Sequence, residues 1–439
     1  MMKRITFCFM CLFIVSATML QAQRGALIDY AMLHKLNVGE IKLLLAEIPP
    51  TLVDLALTNP DDNAEVEVYR LIYSTIDAQG DPTYASGAVF LSPDIGADNP
   101  LAVYLHGTIT SDNEAPSRLG GKESLLGWIL GADGYIGILP DYLGLGDSPG
   151  IHPYSHSDTE ASASIDMVLA TKEFLYAKYG YTDNRSVFLS GYSQGGHSAL
   201  AVQREIEWNY PNEFNLILNV AGSGAYCLSS IQKNYILDNP DYGRPGHIPY
   251  LVLGYKSVYP FFDLDLDEIF VEPYLSMIPG LFDRTKSIGE IEDELNVTYW
   301  TQMMKRRFLL GLKYNYYHPM NRAMRDNDLV NWKPRNPLIL LYCRGDKIVN
   351  PYNSMAAWIL FHLRGAYQVA AIDLGNLGHE DCAIPALAIT KILFDCHSPM
   401  HPCILDLGLK SSGVDQYMNE LTYEEALKHK DEYGIEEIN

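Results

Sequence analysis

The chain has 439 residues, of which 48% are hydrophobic and 20% are charged, and its formal net charge is −22. This composition is typical of a globular protein and excludes a low-complexity or disordered chain. The excess of acidic residues disfavours nucleic acid and anionic membrane surfaces as partners.

The first 22 residues have the pattern of a secretory signal peptide. Lys3 and Arg4 precede an apolar run over residues 5–20, and the small residue Ala22 offers a cleavage site. We therefore expect an exported protein, secreted or periplasmic, whose mature part has no membrane-spanning segment. Cleavage would bring the net charge to −24. The alternative is an uncleaved anchor, for which the apolar run is short.

Two patterns precede the main body of the chain. Residues 26–58 carry leucines at helical spacing, which predicts a helical N-terminal lead-in over residues 23–60. Residues 66–73 and 85–91 then predict two strands, and the Gly-Asp-Pro turn between them indicates a hairpin.

From residue 101 onward, apolar strands alternate with helical segments. We predict strands at residues 101–105, 135–139, 187–189 and 216–218, and two more at 338–342 and 367–372. The helical segments lie near residues 121–130, 158–179 and 195–209. This alternation predicts an α/β fold with a mostly parallel sheet that helices cover on both faces. Residues 61–226 and 337–400 would form this core, and residues 401–439 an acidic tail.

Residues 227–336 interrupt the alternation between the sixth and seventh predicted strands. They contain 17 Phe, Tyr or Trp residues, about 15%, against 11% for the whole chain. The enrichment favours a cap whose aromatic side chains line an apolar pocket. A satellite domain with its own aromatic core is the alternative.

The most informative motif is Gly191-Tyr192-Ser193-Gln194-Gly195-Gly196. It lies between a predicted strand and a predicted helix, which is the context of a nucleophile elbow. Such a turn exposes the serine hydroxyl beside a helix N-terminus, whose free N–H groups and dipole favour negative charge. The pattern predicts Ser193 as a nucleophile.

A serine nucleophile needs a base, and the base needs an orienting acid. In proteins with a nucleophile elbow, the acid and then the histidine follow the serine along the chain. We predict His379, in a loop after a strand, as the base, and Asp346, directly after the strand at 338–342, as the acid. Asp373 and Asp381 are the alternative acids. His362 lies within a helical pattern and suits packing.

The oxyanion hole requires two backbone N–H groups. We predict those of Gln194, after the nucleophile, and of Thr108, after the strand at 101–105. His106 could instead be a base, but it precedes the nucleophile. The glycine-rich loop at 140–148 suits a structural loop beside the site better than a phosphate cradle, since no P-loop lysine follows.

The cysteines and histidines show no pattern of metal ligands, so we expect no metal site. Cys343 lies in an apolar strand and is predicted to be a buried free thiol. Cys396 and Cys403 flank a short loop and could pair, although spacing alone does not decide this.

These motifs resemble the α/β-hydrolase superfamily in content and order: His106-Gly107, the loop at 141–148, Gly191-x-Ser193-x-Gly195, Gly345-Asp346 and Gly378-His379. More narrowly, the Gly-Tyr-Ser elbow and the long insertion resemble the secretory lipases typified by Candida lipase A. The resemblance implies hydrolysis of small-molecule or lipid carboxylic esters, a cap over an acyl tunnel and no cofactor. From the aromatic excess of residues 227–336 and the place of the insertion we further expect kcat/KM to rise from acetyl to at least hexanoyl esters. The alternatives are a polysaccharide-decorating acetyl or feruloyl esterase, a serine peptidase and a non-catalytic binding protein.

Overall fold

A computed structural model of the chain describes residues 24–400 and 419–420. The predicted signal peptide and nearly all of the predicted acidic tail lie outside these residues. The strands are β1 Leu27–Asn37, β2 Glu65–Ile76, β3 Pro82–Leu91, β4 Leu101–Leu105, β5 Ile136–Pro140, β6 Ser186–Tyr192, β7 Asn215–Gly222, β8 Leu338–Tyr342, β9 Val369–Asp373 and β10 Asn419–Glu420.

These strands form one sheet in the order β1-β2-β3-β5-β4-β6-β7-β8-β9-β10. The six strands from β5 to β9 in this order are parallel, and the predicted hairpin is the antiparallel pair β2–β3. The α/β fold with a mostly parallel sheet is therefore confirmed. Because parallel strands carry their loops at the same edge, the segments after β4, β6 and β8 meet there.

The first part of the predicted helical lead-in is wrong, because Leu27–Asn37 is an edge strand. It pairs antiparallel with β2 along almost its whole length, and this pairing satisfies its backbone. The side chains of Ile28, Tyr30 and Met32 are apolar although they are 45–58% exposed. The sequence therefore lacks the alternation of apolar and polar residues that indicates a strand. The pairing of β1 with β2 outweighs the local helical pattern of these residues. The helical leucines belong to two short helices, α1 Val38–Leu44 and α2 Pro50–Ala56.

The remaining helices are α3 Ser124–Ala132, α4 Ser157–Tyr179, α5 Gln194–Asn209, α6 Lys233–Asp238, α7 His247–Val258, α8 Leu266–Ile269, α9 Tyr274–Leu281, α10 Ile288–Leu295, α11 Arg306–Tyr314, α12 Pro319–Asp326, α13 Tyr352–Leu363 and α14 His379–His397. Helices α4, α5 and α13 pack on one face of the sheet, and α3 and α14 pack on the other. Two separate hydrophobic clusters thus cover the two faces, as the continuous apolar strands predict.

The insertion between β7 and β8 consists mainly of helices α6–α12. It follows the seventh strand of the chain and not the sixth, because β1 is an additional strand that precedes all of the predicted ones. Eight of its 17 aromatic residues, among them Tyr255, Phe270 and Trp300, are buried in a third cluster that belongs largely to the insertion itself, and four more are partly buried against it. Most of the aromatic excess therefore builds the insertion's own core.

No helix within the described residues combines the length and apolar character needed to cross a bilayer.

The cysteine prediction is partly wrong, because Cys343 forms a disulfide with Cys382. Cys343 directly follows β8, and Cys382 lies in the first turn of α14, so residues 39 apart in sequence are joined. The buried Cys227 is free. The possible Cys396–Cys403 pair involves Cys403, which lies outside the described residues.

The disulfide gives a prediction for stability. A crosslink across 39 residues restricts the unfolded chain and should contribute about 4 kcal/mol to the free energy of unfolding. We expect the double change Cys343→Ala and Cys382→Ala to lower this free energy, measured by urea unfolding, by roughly that amount. Cys227→Ala, which removes a buried thiol but no crosslink, should cost much less. Equal losses in the two variants would contradict a crosslinking role.

Candidate active site

Ser193 occupies a tight turn between β6 and α5. Its backbone has φ 60° and ψ −119°, a strained conformation for a residue with a side chain. A Cβ on Gly195 would lie 1.9 Å from the carbonyl oxygen of Leu105, and one on Gly196 would lie 2.2 Å from that of Gly222. Strand and helix approach so closely that only glycine fits at either position, which accounts for the second glycine after the motif.

The structure joins Ser193, His379 and Asp346 in one chain of hydrogen bonds. The Ser193 Oγ and His379 Nε2 atoms are 2.8 Å apart, and His379 Nδ1 lies 2.6 Å from Asp346 Oδ2. The backbone N–H groups of Ile348 and Val349 donate to Asp346 Oδ1 at 2.8 and 2.9 Å. The carboxylate thus has a fixed orientation and accepts the Nδ1–H of His379, which leaves Nε2 to accept the serine proton.

The position of His379 differs slightly from the prediction. It is the first residue of α14 and directly follows the loop in which it was expected. The hydroxyl of Tyr192, next to Ser193, donates to the carbonyl oxygen of His379 at 2.7 Å. The residue before the serine therefore helps to hold the histidine.

Asp373, Asp381, His362 and His106 do not belong to this hydrogen-bond chain. Asp373 accepts from Arg344 at 2.7 Å, and both ring nitrogens of His379 are already occupied by Ser193 and Asp346, so neither Asp373 nor Asp381 takes the acid position. The ring of His362 contacts the Trp358 carbonyl oxygen. The ring nitrogens of His106 contact the carbonyl oxygens of Gly107 and Asp141.

The predicted oxyanion-hole residues lie on either side of the turn. Gln194 is the first residue of α5, and Thr108 lies in the loop after β4. Within residues 24–400, neither backbone N–H donates to another group. Glu123 secures the loop by accepting from Tyr104 Oη at 2.6 Å and from the Gly107 N–H at 2.8 Å. Burial raises the pKa of Glu123, and these bonds oppose the rise.

A small cavity of about 60 Å³ opens onto Ser193. The insertion lines it mainly with aliphatic side chains, namely Leu228, Ile236, Ile248 and Leu251. Tyr242 is the one Phe, Tyr or Trp residue that the insertion supplies to this described lining. The predicted aromatic lining is therefore largely wrong, because those rings pack in the insertion's own core.

A second cavity of about 40 Å³ lies deeper in the insertion. Ile236, Ile248 and Leu251 line both cavities and separate them. Behind this partition the walls include Phe308 and Met320. The space next to Ser193 is thus short, and further apolar space lies beyond three aliphatic side chains.

A buried polar network behind Ser193 was not predicted from the sequence. The side-chain Nε2 of Gln194 donates to His152 Nε2 and to Glu160 Oε1, both at 2.7 Å. Glu160 Oε2 lies 3.1 Å from His197 Nδ1, and His197 Nε2 lies 3.0 Å from the Asn327 carbonyl oxygen. The position of His197, one helical turn after Ser193, was the available signal.

Glu160 is the central acceptor of this network. Burial by itself would raise the pKa of Glu160, but hydrogen bonds with His197 and Gln194 bring it below its ordinary value. The carboxylate is therefore ionised near pH 7, and it accepts from the Gln194 side chain and lies against the His197 ring.

His247 is a second histidine in the cavity wall. Burial, together with the charges of Arg244 and His379, lowers the pKa of His247 to about 3. It is therefore neutral near pH 7 and does not compete with His379 for a proton.

The described residues contain no cluster of side chains that could hold a metal ion. The loop at 140–148 binds the insertion: the Arg284 guanidinium donates to the carbonyl oxygens of Gly146 and Ser148. The carboxylate of Asp141 accepts from Ser86 Oγ and the Ser117 N–H inside this loop. These carbonyl oxygens are hydrogen-bond acceptors, so they suit a cation such as Arg284 and do not suit a phosphate.

The buried Glu160 carboxylate gives a prediction for stability. Glu160→Gln replaces one of the two carboxylate oxygens that contact Gln194 and His197 with an NH₂ group and should lower the free energy of unfolding by about 1–3 kcal/mol at pH 7. Because the folded pKa of Glu160 is lowered, its contribution is present above the unfolded value of 4.5 and is lost as the pH falls below it. The difference in the free energy of unfolding between wild type and Glu160→Gln should therefore shrink as the pH falls. Asp158→Asn, at an exposed position of the same helix, should have little effect at either pH.

Comparison with known proteins agrees with this architecture. A Legionella pneumophila protein described as a hydrolase superposes with a TM-score of 0.77 and 25% identity over 85% of this chain and 98% of its own. The rice cell wall degrading esterase LipA from Xanthomonas oryzae superposes with a TM-score of 0.69 and 27% identity over 84% of this chain and 95% of its own. Candida antarctica lipase A gives 0.61 over 90% of each chain, and at 16% identity this likeness concerns the fold alone.

No curated protein sequence matches the chain significantly. The sequence model of the alpha/beta hydrolase family matches residues 102–388, which is well over half of the chain and spans Thr108, Ser193, Asp346 and His379. The chain therefore belongs to the alpha/beta hydrolase family.

Proposed function

We propose that the protein is an exported serine hydrolase that cleaves carboxylic esters, with Ser193 as nucleophile, His379 as base and Asp346 as orienting acid. The observation that carries the proposal is the continuous hydrogen-bond chain from Asp346 through His379 to Ser193 Oγ. This chain ends at a strained turn that opens into an apolar cavity.

The proposed reaction has two halves. Ser193 Oγ attacks the ester carbonyl carbon while His379 Nε2 takes its proton, and the same nitrogen then protonates the leaving alcohol. Water, deprotonated by His379, hydrolyses the acyl-enzyme and restores the serine. Asp346 keeps Nδ1 protonated and stabilises the imidazolium that forms in each half.

The negative oxygen of each tetrahedral intermediate needs donors that are in place before the reaction. The backbone N–H groups of Gln194 and Thr108 are the proposed donors. Glu123 fixes the loop that carries Thr108, and the Gln194 side chain is held by His152 and Glu160. The N-terminal end of the α5 dipole adds favourable potential.

The cavity supports a short acyl group. A methylene group is no smaller than a water molecule, so the upper figure of about 15 Å³ for each group applies, and about 60 Å³ accommodates about four groups, an acyl chain from acetyl to butyryl. The sequence predicts that turnover rises with acyl length to at least hexanoyl. The size of the cavity instead favours acyl chains no longer than butyryl. It also favours the second candidate, a polysaccharide-decorating esterase that removes short acyl groups, and the structural similarity to a cell wall degrading esterase supports the same candidate.

A serine peptidase and a non-catalytic binding protein receive less support. A peptidase of this fold would need an acidic side chain to anchor the substrate amine, and the described cavity lining contains no Asp or Glu. A non-catalytic binding protein would not require the aligned serine, histidine and aspartate. Export is supported by the leader pattern and by the Cys343–Cys382 disulfide, which is typical of oxidising compartments.

The role of Ser193 can be tested directly. Ser193→Ala should reduce kcat for p-nitrophenyl acetate by up to about 10⁶-fold, because the covalent step is lost. Its unfolding curve should match that of wild type, since the serine side chain is small. A pure variant that keeps a tenth of the wild-type rate would refute the assignment.

The acid assignment has a matched control. Asp346→Asn should lower kcat by about 10⁴-fold, since the histidine loses control of its tautomer. Asp373→Asn removes a carboxylate from the end of the adjacent strand, where it pairs with Arg344, and should have a far smaller effect. If Asp373→Asn is the more damaging change, Asp346 is not the orienting acid.

The aliphatic partition predicts acyl selectivity. Across p-nitrophenyl esters, wild-type kcat/KM should be highest between acetyl and butyryl and lower for hexanoyl. Leu251→Ala, which opens the first cavity toward the second, should raise the rate for hexanoyl relative to acetyl by about tenfold, since each buried CH₂ contributes about 0.8 kcal/mol. Leu310→Ala, at an exposed position of the insertion, is the control. An unchanged profile in Leu251→Ala would show that the acyl group lies elsewhere.

A further inference from the structure

One segment of the insertion has a charge opposite to that of the rest of the chain. Residues 305–325 contain six cationic residues and no Asp or Glu, in a chain with 54 acidic and 32 basic residues. The six are Lys305, Arg306, Arg307, Lys313, Arg322 and Arg325. Such a run is a local positive field on an otherwise negative molecule.

The same segment exposes three tyrosine rings. Tyr314, Tyr316 and Tyr317 are 74%, 63% and 82% exposed. The segment comprises α11, a short connection and α12, so these rings lie at the turn between two helices. We call the exposed side chains of residues 305–325 the basic-tyrosine face.

The two helices have distinct inner and outer sides. Phe308, Leu312, Met320 and Met324 are buried and line the second cavity, while Arg306, Arg307 and Lys313 are exposed. The spacing of residues 306, 310, 313 and 314 places them on one side of α11. The basic-tyrosine face is therefore the outer surface of the elements that wall the inner cavity.

Most of these cations lack an acidic partner. Among the ion pairs of residues 24–400, Lys313 is the one member of the six that has a carboxylate partner, Asp238 at 3.8 Å. Helix α8 packs against α11, yet its Asp267 and Glu268 form no ion pair with the segment within the described chain. Arg322 and Arg325 stack on the Phe261 and Tyr316 rings and lie near Asp326, so the cations that remain available to an external partner are chiefly those of α11 and of Lys305 before it.

One arginine positions one of the rings. The Arg325 guanidinium lies 3.8 Å from the centroid of the Tyr316 ring and donates to the Tyr316 carbonyl oxygen at 2.8 Å. The Tyr317 ring lies 5.2 Å from that of Tyr316 and is nearly perpendicular to it. These contacts restrict the Tyr316 ring, which lowers the conformational entropy that binding to it would cost.

We propose that the basic-tyrosine face binds an anionic polysaccharide and keeps the enzyme on a polymer surface. Cations suit carboxylate groups, and exposed tyrosine rings offer flat apolar faces with hydroxyl groups for sugar rings. The inference goes beyond the proposed hydrolysis, because binding here does not require Ser193 or the cavity.

An anionic membrane is the competing partner, and the structure favours it less. A helix that lies on a bilayer inserts an apolar side into the lipid. Here the apolar sides of α11 and α12 are buried in the insertion, and Leu310 is the one aliphatic side chain of α11 that is more than a third exposed. The face can meet charged and ring-shaped groups, but it has little to insert.

The test measures binding of the mature protein to polygalacturonate, to uncharged dextran and to vesicles of phosphatidylglycerol and phosphatidylcholine. We expect salt-sensitive binding to polygalacturonate and little binding to dextran or vesicles. The charge variant is the triple change Arg306→Gln, Arg307→Gln and Lys313→Gln. The ring variant changes Tyr314, Tyr316 and Tyr317 to Ser. The charge variant should weaken polygalacturonate binding by about tenfold, since exposed ion pairs contribute modestly. The ring variant should weaken it by a similar factor, since it removes the flat apolar faces that contact sugar rings.

A matched control removes three exposed cations elsewhere, through Lys122→Gln, Lys333→Gln and Arg335→Gln, and should bind like wild type. All variants should hydrolyse p-nitrophenyl acetate at the wild-type rate, which separates this proposal from the esterase proposal. The inference is overturned if polygalacturonate does not bind, if the control weakens binding as much as the charge variant, or if the ring variant binds normally. Preferential binding to vesicles would overturn it as well and assign the face to a membrane.

Discussion

The close approach of β4, β6 and α5 around Ser193 is the constraint on which the site depends. Gly195 fits against the Leu105 carbonyl oxygen and Gly196 against that of Gly222, with no space for a side chain. This contact forces the unusual backbone of Ser193 and starts α5 directly after it. It also sets the loop that carries Thr108 next to the turn. The nucleophile and both proposed oxyanion donors therefore follow from one steric fact.

Support for this arrangement comes from groups that do not contact the reacting atoms. Glu123 fixes the loop after β4, and Tyr192 holds the backbone of His379. The buried, hydrogen-bonded side chains of Glu160 and His197 underlie the first turn of α5, and Glu160 holds the Gln194 side chain. The disulfide joins the segment before Asp346 to the helix that begins at His379. The site is thus fixed from several elements that are distant in sequence.

The sequence was informative where the physics is local. Continuous apolar strands predicted the parallel sheet, and the glycine pattern predicted the turn at Ser193. The order of serine, acid and histidine then led to Asp346 and His379, which the structure brings together. Contacts between distant segments were not recoverable. Strand β1 depends on its pairing with β2, Cys343 finds a partner 39 residues away, and Glu160 is an acid within a helix whose only mark is its burial. The aromatic excess at 227–336 could not distinguish a cavity lining from a core.

The central claim is that Ser193 is activated by His379 and Asp346 to form a covalent acyl-enzyme. The most direct measurement is intact and peptide mass spectrometry after reaction with a fluorophosphonate, which traps activated serines. The account predicts a single adduct on the peptide that contains Ser193, formed rapidly in wild type and at least about a thousandfold more slowly in His379→Ala, because the hydroxyl loses its base. Adduct formation at another serine, or equal rates in wild type and His379→Ala, would contradict it.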